Sequence, residues 1–342
     1  MNKSFLSSYY RVNALATRAI FLSVFAFLVT SVVFASDSPD ERNARNLFKD
    51  RKFLEAKNLI EQSSELMAKD ENLYLLAVCE LYLFNYRKSS DLLDFLTTAA
   101  TSSETIKTRA WTLRMNIALE TWDYPKADEL TKINPRSDLS FIARQLIAIY
   151  TASGARQATE NLAIKFSATS SFAIFSLCLM GESKYIYNTE HFDKMLMGVV
   201  RGSKIDGTFQ LVDGLSVSGD ELSSLLFYKG SYKDAEIIQL NLLNRSRLAI
   251  GPWHHKGLLR TARTLAALGD ITSADALIRD ANDFIIRVHG DSSQLRLWPI
   301  LEKANLLRIS GDASRARFLL ASSMSIFPNF NHRIKFEIQK IP

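Results

Sequence analysis

A short pattern recurs six times along this chain: a turn residue, an apolar residue, two variable positions, and a small residue that opens an amphipathic stretch. The small residues are Ala56, Ser89, Ala127, Ala235, Ala274 and Ala316, at spacings of 33, 38, 108, 39 and 42 residues. Periods in this range are typical of chains built from stacked supersecondary units. The amphipathic stretches indicate that the units are helical.

A second small residue stands twelve positions earlier in five of the six units. The pairs are Ala44/Ala56, Ala77/Ser89, Ser223/Ala235, Ala262/Ala274 and Ala304/Ala316, while Met115 precedes Ala127. Twelve residues span about two helical turns and a tight connection. We therefore expect two antiparallel helices that cross at the small side chains. Gly230, Gly269 and Gly311, each five residues before the later small residue, predict the reversal that ends the first helix.

This pattern resembles the tetratricopeptide repeat (TPR), a unit of about 34 residues with small residues in both helices. Trp111 stands at the family's early aromatic position and Pro328 at its closing position. The last three units are longer, and Gly230–Glu236 resembles the kinesin-light-chain type of repeat. The resemblance covers residues 40–188 and 220–330. It implies an all-α fold, an α-solenoid of antiparallel helix pairs in a TPR-like superhelix, and a protein or peptide partner.

The glycines divide the repeats into two groups. Five of the 13 glycines fall between positions 198 and 219, and a stretch so rich in turn residues interrupts helix stacking. We expect an N-terminal sub-array over residues 36–197, a Gly-rich joint over 198–219, a C-terminal sub-array over 220–330 and a tail over 331–342.

Residues 1–35 have the composition of an export signal. Three bases and no acid precede an apolar run of 17 residues, Ala19 to Ala35, and polar residues follow at once. The short side chains of Val33 and Ala35 suit a signal peptidase. We expect cleavage after Ala35 and a periplasmic or secreted protein without a lipid anchor, because no Cys follows. The run is at the lower limit for a membrane span, so an uncleaved inner-membrane anchor is the alternative.

The charge balance gives no indication of a nucleic-acid partner. Removing residues 1–35 lowers the formal net charge from +6 to +3. A nucleic-acid-binding protein needs a concentrated basic face. The nearest cluster, Arg245 to Arg247, is short. We expect contact with a membrane only through the N-terminal segment, if that segment is retained.

The two cysteines, Cys79 and Cys178, both lie in apolar helical runs. A free cysteine in such a run behaves as a small core residue. We expect free thiols. The alternative in an oxidising compartment is a disulfide between them.

No motif in the sequence indicates catalysis. The chain lacks a phosphate-binding loop, a dinucleotide fingerprint, His-Glu-x-x-His and Cys-x-x-Cys. His254, His255, His289 and Asp291 could form a zinc site, but their correspondence between neighbouring units explains them without a metal. We expect no catalytic residue, cofactor or metal. A cell-wall enzyme built on a helical superhelix would need a catalytic domain, and the sequence ends about 15 residues after the last repeat.

The inner helices of a curved solenoid line its binding surface. Counting from the small residues places five candidate partner-binding residues on that surface: Lys256, Arg263, Trp298, Asn305 and Arg308. Guanidinium, amide and aromatic groups together suit a peptide backbone or carboxylate. The alternative is a solvated helix face with one packed Trp.

The sequence therefore predicts an exported scaffold for protein–protein interaction. A cell-envelope machine such as a flagellar motor, pilus or secretion apparatus would be a suitable host for such a scaffold. The alternatives are a membrane-anchored assembly factor and, with less support, a cell-wall enzyme.

Overall fold

The computed structural model describes residues 38–166, 172–199, 218–248 and 250–342, and every regular element in these ranges is helical. The N-terminal helices are α1 (Pro39–Lys49), α2 (Phe53–Gln62), α3 (Ser64–Met67), α4 (Asp70–Tyr82), α5 (Tyr86–Thr98), α6 (Glu104–Glu120), α7 (Tyr124–Ile133), α8 (Asp138–Thr151), α9 (Ala155–Lys165), α10 (Ala173–Tyr187) and α11 (His191–Val199). The C-terminal helices are α12 (Gly219–Lys229), α13 (Tyr232–Leu248), α14 (His254–Ala267), α15 (Ile271–His289), α16 (Leu297–Ile309), α17 (Ala313–Ser323) and α18 (Asn331–Gln339).

The helices form consecutive antiparallel pairs. The pairs are α1/α2, α4/α5, α6/α7, α8/α9, α10/α11, α12/α13, α14/α15 and α16/α17. The first helices of successive pairs also pack on one another, from α1 and α4 through to α14 and α16, and so form one continuous inner layer. This architecture is an α-solenoid of TPR-like pairs. The predicted fold class is confirmed.

The small residues of the repeat lie where the paired helices cross. Ala44, Ala56, Ala77, Ser89, Ala127, Ser223, Ala235, Ala262, Ala274 and Ala316 are all fully buried. Ala304 is 4% exposed, and Met115 is fully buried in place of a small residue. A larger side chain at such a crossing would typically destabilise the fold by about 1–3 kcal/mol, because the packed interior has no room for it.

The first helix ends in the same turn in all six units. The residue five positions before the later small residue has a positive φ: 81–90° at Gly230, Gly269 and Gly311, and 57–65° at Arg51, Phe84 and Trp122. The residue after it donates its N–H to the carbonyl five residues earlier, at 2.8–2.9 Å, as in a Schellman motif. Glycine adopts this conformation freely, whereas an L-residue is disfavoured by roughly 1–2 kcal/mol. Arg51, Phe84 and Trp122 adopt it nevertheless, so the turn occurs in units with and without the glycine.

The C-terminal units pack back against the N-terminal units. The largest core cluster joins Trp122 and Tyr124, from the third helix pair, to residues of α14 to α18. Helix α18 packs on α17 and also on α8. Residues 331–342, expected to be a tail, thus contain a helix, and its Ile334 is fully buried.

Two features predicted from the sequence lie outside the described residues. These are the export signal at 1–35 and residues 200–217, which make up most of the Gly-rich joint. Within the ranges that the structure describes, no helix is both long and apolar enough to cross a membrane.

Candidate functional site

The first helices α6, α8, α10, α12, α14 and α16 enclose a narrow space, here called the lumen, and side chains meet across it. The Trp122 ring stacks on Trp298 at 5.5 Å between centroids. Lys256 Nζ lies 2.7 Å from Glu120 Oε2, with both side chains largely buried. These contacts link positions 136 or more residues apart in sequence. The two faces of the inner layer therefore touch each other, which leaves little of the groove for a peptide.

Arg263 lies at the centre of a buried ion network in this lumen. Its guanidinium donates to both carboxylate oxygens of Glu182, at 2.8 and 3.2 Å, and to Glu302. The three side chains are only 5–6% exposed. Burial alone would raise the pKa of Glu182, but the charge and hydrogen bonds of Arg263 hold it below its usual value. Arg263 thus holds two carboxylates together inside the fold.

Tyr228 adds a hydrogen bond to this network. Its ring also leaves room only for glycine at position 181 of helix α10. Its hydroxyl donates to Glu182. A Cβ at Gly181 would lie 2.2 Å from the Tyr228 ring. Glycine in the middle of helix α10 is therefore explained by the close approach of this ring.

An exposed patch, Tyr185–Asn305–Arg308, lies beside the buried network. Asn305 Nδ2 donates to the Tyr185 hydroxyl at 2.9 Å, and Arg308 Nη2 donates to Asn305 Oδ1 at 2.7 Å. The guanidinium of Arg263 lies 4.4 Å below the centre of the Tyr185 ring. Tyr185 is 37% exposed, and the adjoining Ile309 is 46% exposed. The patch thus combines an exposed cation, an amide and apolar surface on a rigid base.

The structure divides the five predicted partner-binding residues into two groups. Lys256, Arg263 and Trp298 make intramolecular contacts across the lumen, where a protein partner could reach them only if the lumen opened. Asn305 and Arg308 lie at the surface in the patch. Sequence reasoning missed Tyr185, which belongs to a helix pair without the small-residue signal. Its only sequence cue is its place three residues after the charged Glu182 in an apolar helix.

The lumen contains a cavity of about 180 Å³. Its walls include seven aromatic side chains: Trp122, Tyr124, Tyr150, Phe172, Phe175, Tyr228 and Trp298. Two ion pairs also line it: Glu120 with Lys256, and Asp220 with Arg260. Asn116, on helix α6, is part of the same wall. The cavity is lined by residues from both halves of the repeat array.

Two histidines of the C-terminal units, the buried His255 and the half-buried His289, lie close together in a geometry that does not resemble a metal site. His255 is fully buried, with His289 at 5.8 Å and Phe284 at 6.0 Å between ring centroids. Burial lowers the pKa of His289 to about 4 and that of His255 well below its usual value. Among the residues that the structure describes, no three His, Cys, Asp or Glu side chains are grouped to hold a metal ion. Cys79 and Cys178 are free thiols.

Comparison with known proteins finds similar solved structures but no family. No known family profile matches the sequence, and no curated protein matches it. The crystal structure of the APC/C hetero-tetramer Cut9–Hcn1 aligns with 86% of this chain at 13% identity and a TM-score of 0.36. The alignment covers 55% of that structure's chain, so this chain spans about half its length. A likeness at that level says nothing about partner or activity.

Proposed function

We propose that this protein is an exported scaffold for protein–protein interaction and that it contacts its partner through the Tyr185–Asn305–Arg308 patch. The observation that carries the proposal is the state of Arg308. Its guanidinium is exposed, is oriented by Asn305, and makes no ion pair among the described residues. A guanidinium oriented in this way is suited to a carboxylate or a peptide carbonyl.

The base of the patch supports the same role. Tyr185 is held between the guanidinium of Arg263 and the ring of Phe227, whose centroid lies 5.3 Å away. A rigid aromatic side chain loses little conformational freedom on binding. An exposed Tyr and Arg on a fixed base therefore have the composition of an interaction hot spot.

Site-specific photo-crosslinking in the native host tests this proposal. A photoreactive residue at position 308 should give a defined adduct, and one at position 279 should not. Arg279 is a matched control, since it is 71% exposed on helix α15 and is not one of the patch residues. Arg308→Glu should weaken co-purification of the adduct partner at least tenfold, and Arg279→Glu, with the same charge change, should leave it unaltered. Equal adducts at both positions, or none at 308, would rule the patch out.

Export from the cytoplasm is part of the proposal and rests on the composition of residues 1–35. The mass of the mature protein should correspond to a chain that begins at Ser36. A mass that includes residues 19–35 would instead favour the membrane-anchored assembly factor. Service in an envelope machine such as a flagellar motor, pilus or secretion apparatus remains the proposed setting. The catalytic alternative, a cell-wall enzyme, has no supporting side-chain arrangement among the described residues.

The kinesin-light-chain type of the C-terminal repeats also remains a proposal. Its support is the length of two of the three second helices: α13 has 17 residues and α15 has 19, against 10 in both α2 and α7, while α17 has 11.

A further inference from the structure

One residue in the wall of the lumen cavity, Glu221, has a buried carboxylate oxygen for which the described residues supply no partner. Glu221 is 6% exposed and lines the cavity. Its Oε2 accepts from the backbone N–H and the hydroxyl of Ser218, at 3.0 and 2.8 Å, in a capping box at the start of α12. Its Oε1 is buried and has no hydrogen-bond partner among the described residues. A buried oxygen in that state is unfavourable unless something donates a hydrogen bond to it.

The same capping box at the other end of the chain shows how such an oxygen is normally satisfied. Glu41 caps α1 through Ser38 in the same geometry. Its Oε1 accepts from Asn72 at 3.2 Å and lies 3.0 Å from Lys69 Nζ. Burial alone would raise the pKa of Glu41, but the bonds from Ser38, Lys69 and Asn72 hold it below its usual value. For Glu221 the pKa is raised, because burial dominates and Asp220 adds to it. Of these two capping glutamates, Glu221 is the one in the cavity wall, and its Oε1 lacks a cation such as the one that Lys69 supplies to Glu41.

The charges around the cavity favour a cation over an anion. Four carboxylates line it, those of Glu120, Glu182, Asp220 and Glu221, against two cations, Lys256 and Arg260. Lys256 pairs with Glu120, Arg260 pairs with Asp220, and Arg263 is shared between Glu182 and Glu302. An anion would have to displace a carboxylate from one of these pairs. An ammonium group at Glu221 would instead bring a cation to a carboxylate that has none among the described residues.

The walls define the remainder of the ligand. Aromatic faces attract a cation and pack on an apolar body. Tyr124, 5% exposed and also in the wall, has a hydroxyl with no hydrogen-bond partner among the described residues. An apolar cavity of about 150 Å³ holds a benzene molecule, so the 180 Å³ found here suits a single ring with a short amine arm.

We propose that the lumen cavity binds a small organic cation, with its N–H donors on Glu221 Oε1 and its apolar body among the aromatic side chains. This site is separate from the Tyr185–Asn305–Arg308 patch, and either could exist without the other.

Calorimetry with three probes of one size tests this proposal on the full mature chain. The probes are benzylamine, which is protonated at neutral pH, benzyl alcohol, which is neutral, and benzoate, which is anionic. We expect benzylamine to bind at least tenfold more tightly than benzoate, with benzyl alcohol between them. No benzylamine binding at millimolar concentration, or equal binding of benzoate, would overturn the proposal.

Two variants test the role of the carboxylate. Glu221→Gln keeps the capping box, since Gln also serves at that position, and should weaken benzylamine binding about tenfold or more. It should change benzyl alcohol binding less than threefold. Glu41→Gln makes the same change in the other capping box and should leave both affinities unaltered. Tyr124→Phe, which keeps the ring, gives a second readout and should also weaken benzylamine binding. Unchanged benzylamine affinity in both cavity variants would overturn the assignment.

Discussion

The indole rings of Trp122 and Trp298 lie nearly parallel, with an interplanar angle of 16° and centroids 5.5 Å apart. They stand 176 residues apart in the chain, in the third and the last helix pairs. Trp122 contributes this ring from a left-handed turn residue, at φ 57°. The stack therefore joins the two halves of the solenoid at a position where the local backbone is itself disfavoured.

Replacing either tryptophan should weaken the same junction. An aromatic pair contributes about 0.5–1.5 kcal/mol beyond the area it buries. In a double-mutant cycle of Trp122→Leu and Trp298→Leu, the loss of unfolding free energy in the double variant should differ by that amount from the sum of the two single losses. Urea denaturation measures each free energy. Additivity within about 0.3 kcal/mol would show that the rings do not interact in solution.

Removing the charge of Arg263 should destabilise the protein strongly. Arg263→Met leaves Glu182 and Glu302 buried without their cation, a change that typically costs about 3–5 kcal/mol. Arg308→Met, on the exposed patch, should alter the unfolding free energy by less than about 0.5 kcal/mol. Replacing both glutamates by Gln in the Arg263→Met background should restore most of the loss. Failure of that restoration would show that the arginine acts through its packing alone.

Replacing two glycines of one helix pair by alanine should change the unfolding free energy in opposite directions. Gly257 lies inside helix α14, where an added Cβ meets nothing within 4 Å, so Gly257→Ala should stabilise by up to about 1 kcal/mol. Gly269 has equally open surroundings but a φ of +87°, so Gly269→Ala should destabilise by about 1 kcal/mol or more. Thermal unfolding of the two variants measures the difference. Stabilisation by Gly269→Ala would contradict the assigned turn.

The buried histidines should make stability depend on pH. The ordinary pKa of His is about 6.5, and burial lowers that of His289 to about 4. Between those values the unfolded chain binds a proton that the folded chain does not. The contribution of His289 to the unfolding free energy is therefore greatest above about pH 6.5 and is lost as the pH drops towards 4.

A single variant isolates this contribution. His289→Phe keeps an aromatic ring against Tyr86, which lies 4.3 Å away, but cannot titrate. At pH 5 it should recover up to about 2 kcal/mol of the loss seen relative to neutral pH. An identical decline in the variant and the parent would show that His289 titrates normally in the fold. Urea titrations at pH 7.5 and pH 5 supply the comparison.

The helix pairs could be predicted from the sequence because they follow from local chemistry. Small residues twelve positions apart predicted the crossings, and the fully buried Ala262 and Ala274 confirm them. A glycine marks the turn in only three of the six units. Arg51 and Phe84 adopt the same left-handed conformation without being glycine, because the Schellman hydrogen bonds and the helix packing impose it. Aligning units on their small residues would have located these turns.

The contacts across the lumen could not be predicted in the same way. Counting from the small residues places Lys256 and Trp298 on the inner surface, and the structure has them on the first helices α14 and α16. Which residue faces them depends on the rotation and rise accumulated over several helix pairs, and no local pattern encodes that sum. No local sequence pattern therefore identifies Glu120 as the partner of Lys256. The same sum determines the size of the cavity between them.

The central claim is that the C-terminal helix pairs pack against the N-terminal pairs across the lumen, and zero-length carbodiimide coupling followed by peptide mass spectrometry tests it most directly. We expect an amide between Lys256 and Glu120, whose charged atoms lie 2.7 Å apart. Lys57 and Glu80, on neighbouring helices at 3.0 Å and similarly buried, supply the matched control. Coupling of the control pair with no Lys256–Glu120 product would contradict the closed lumen.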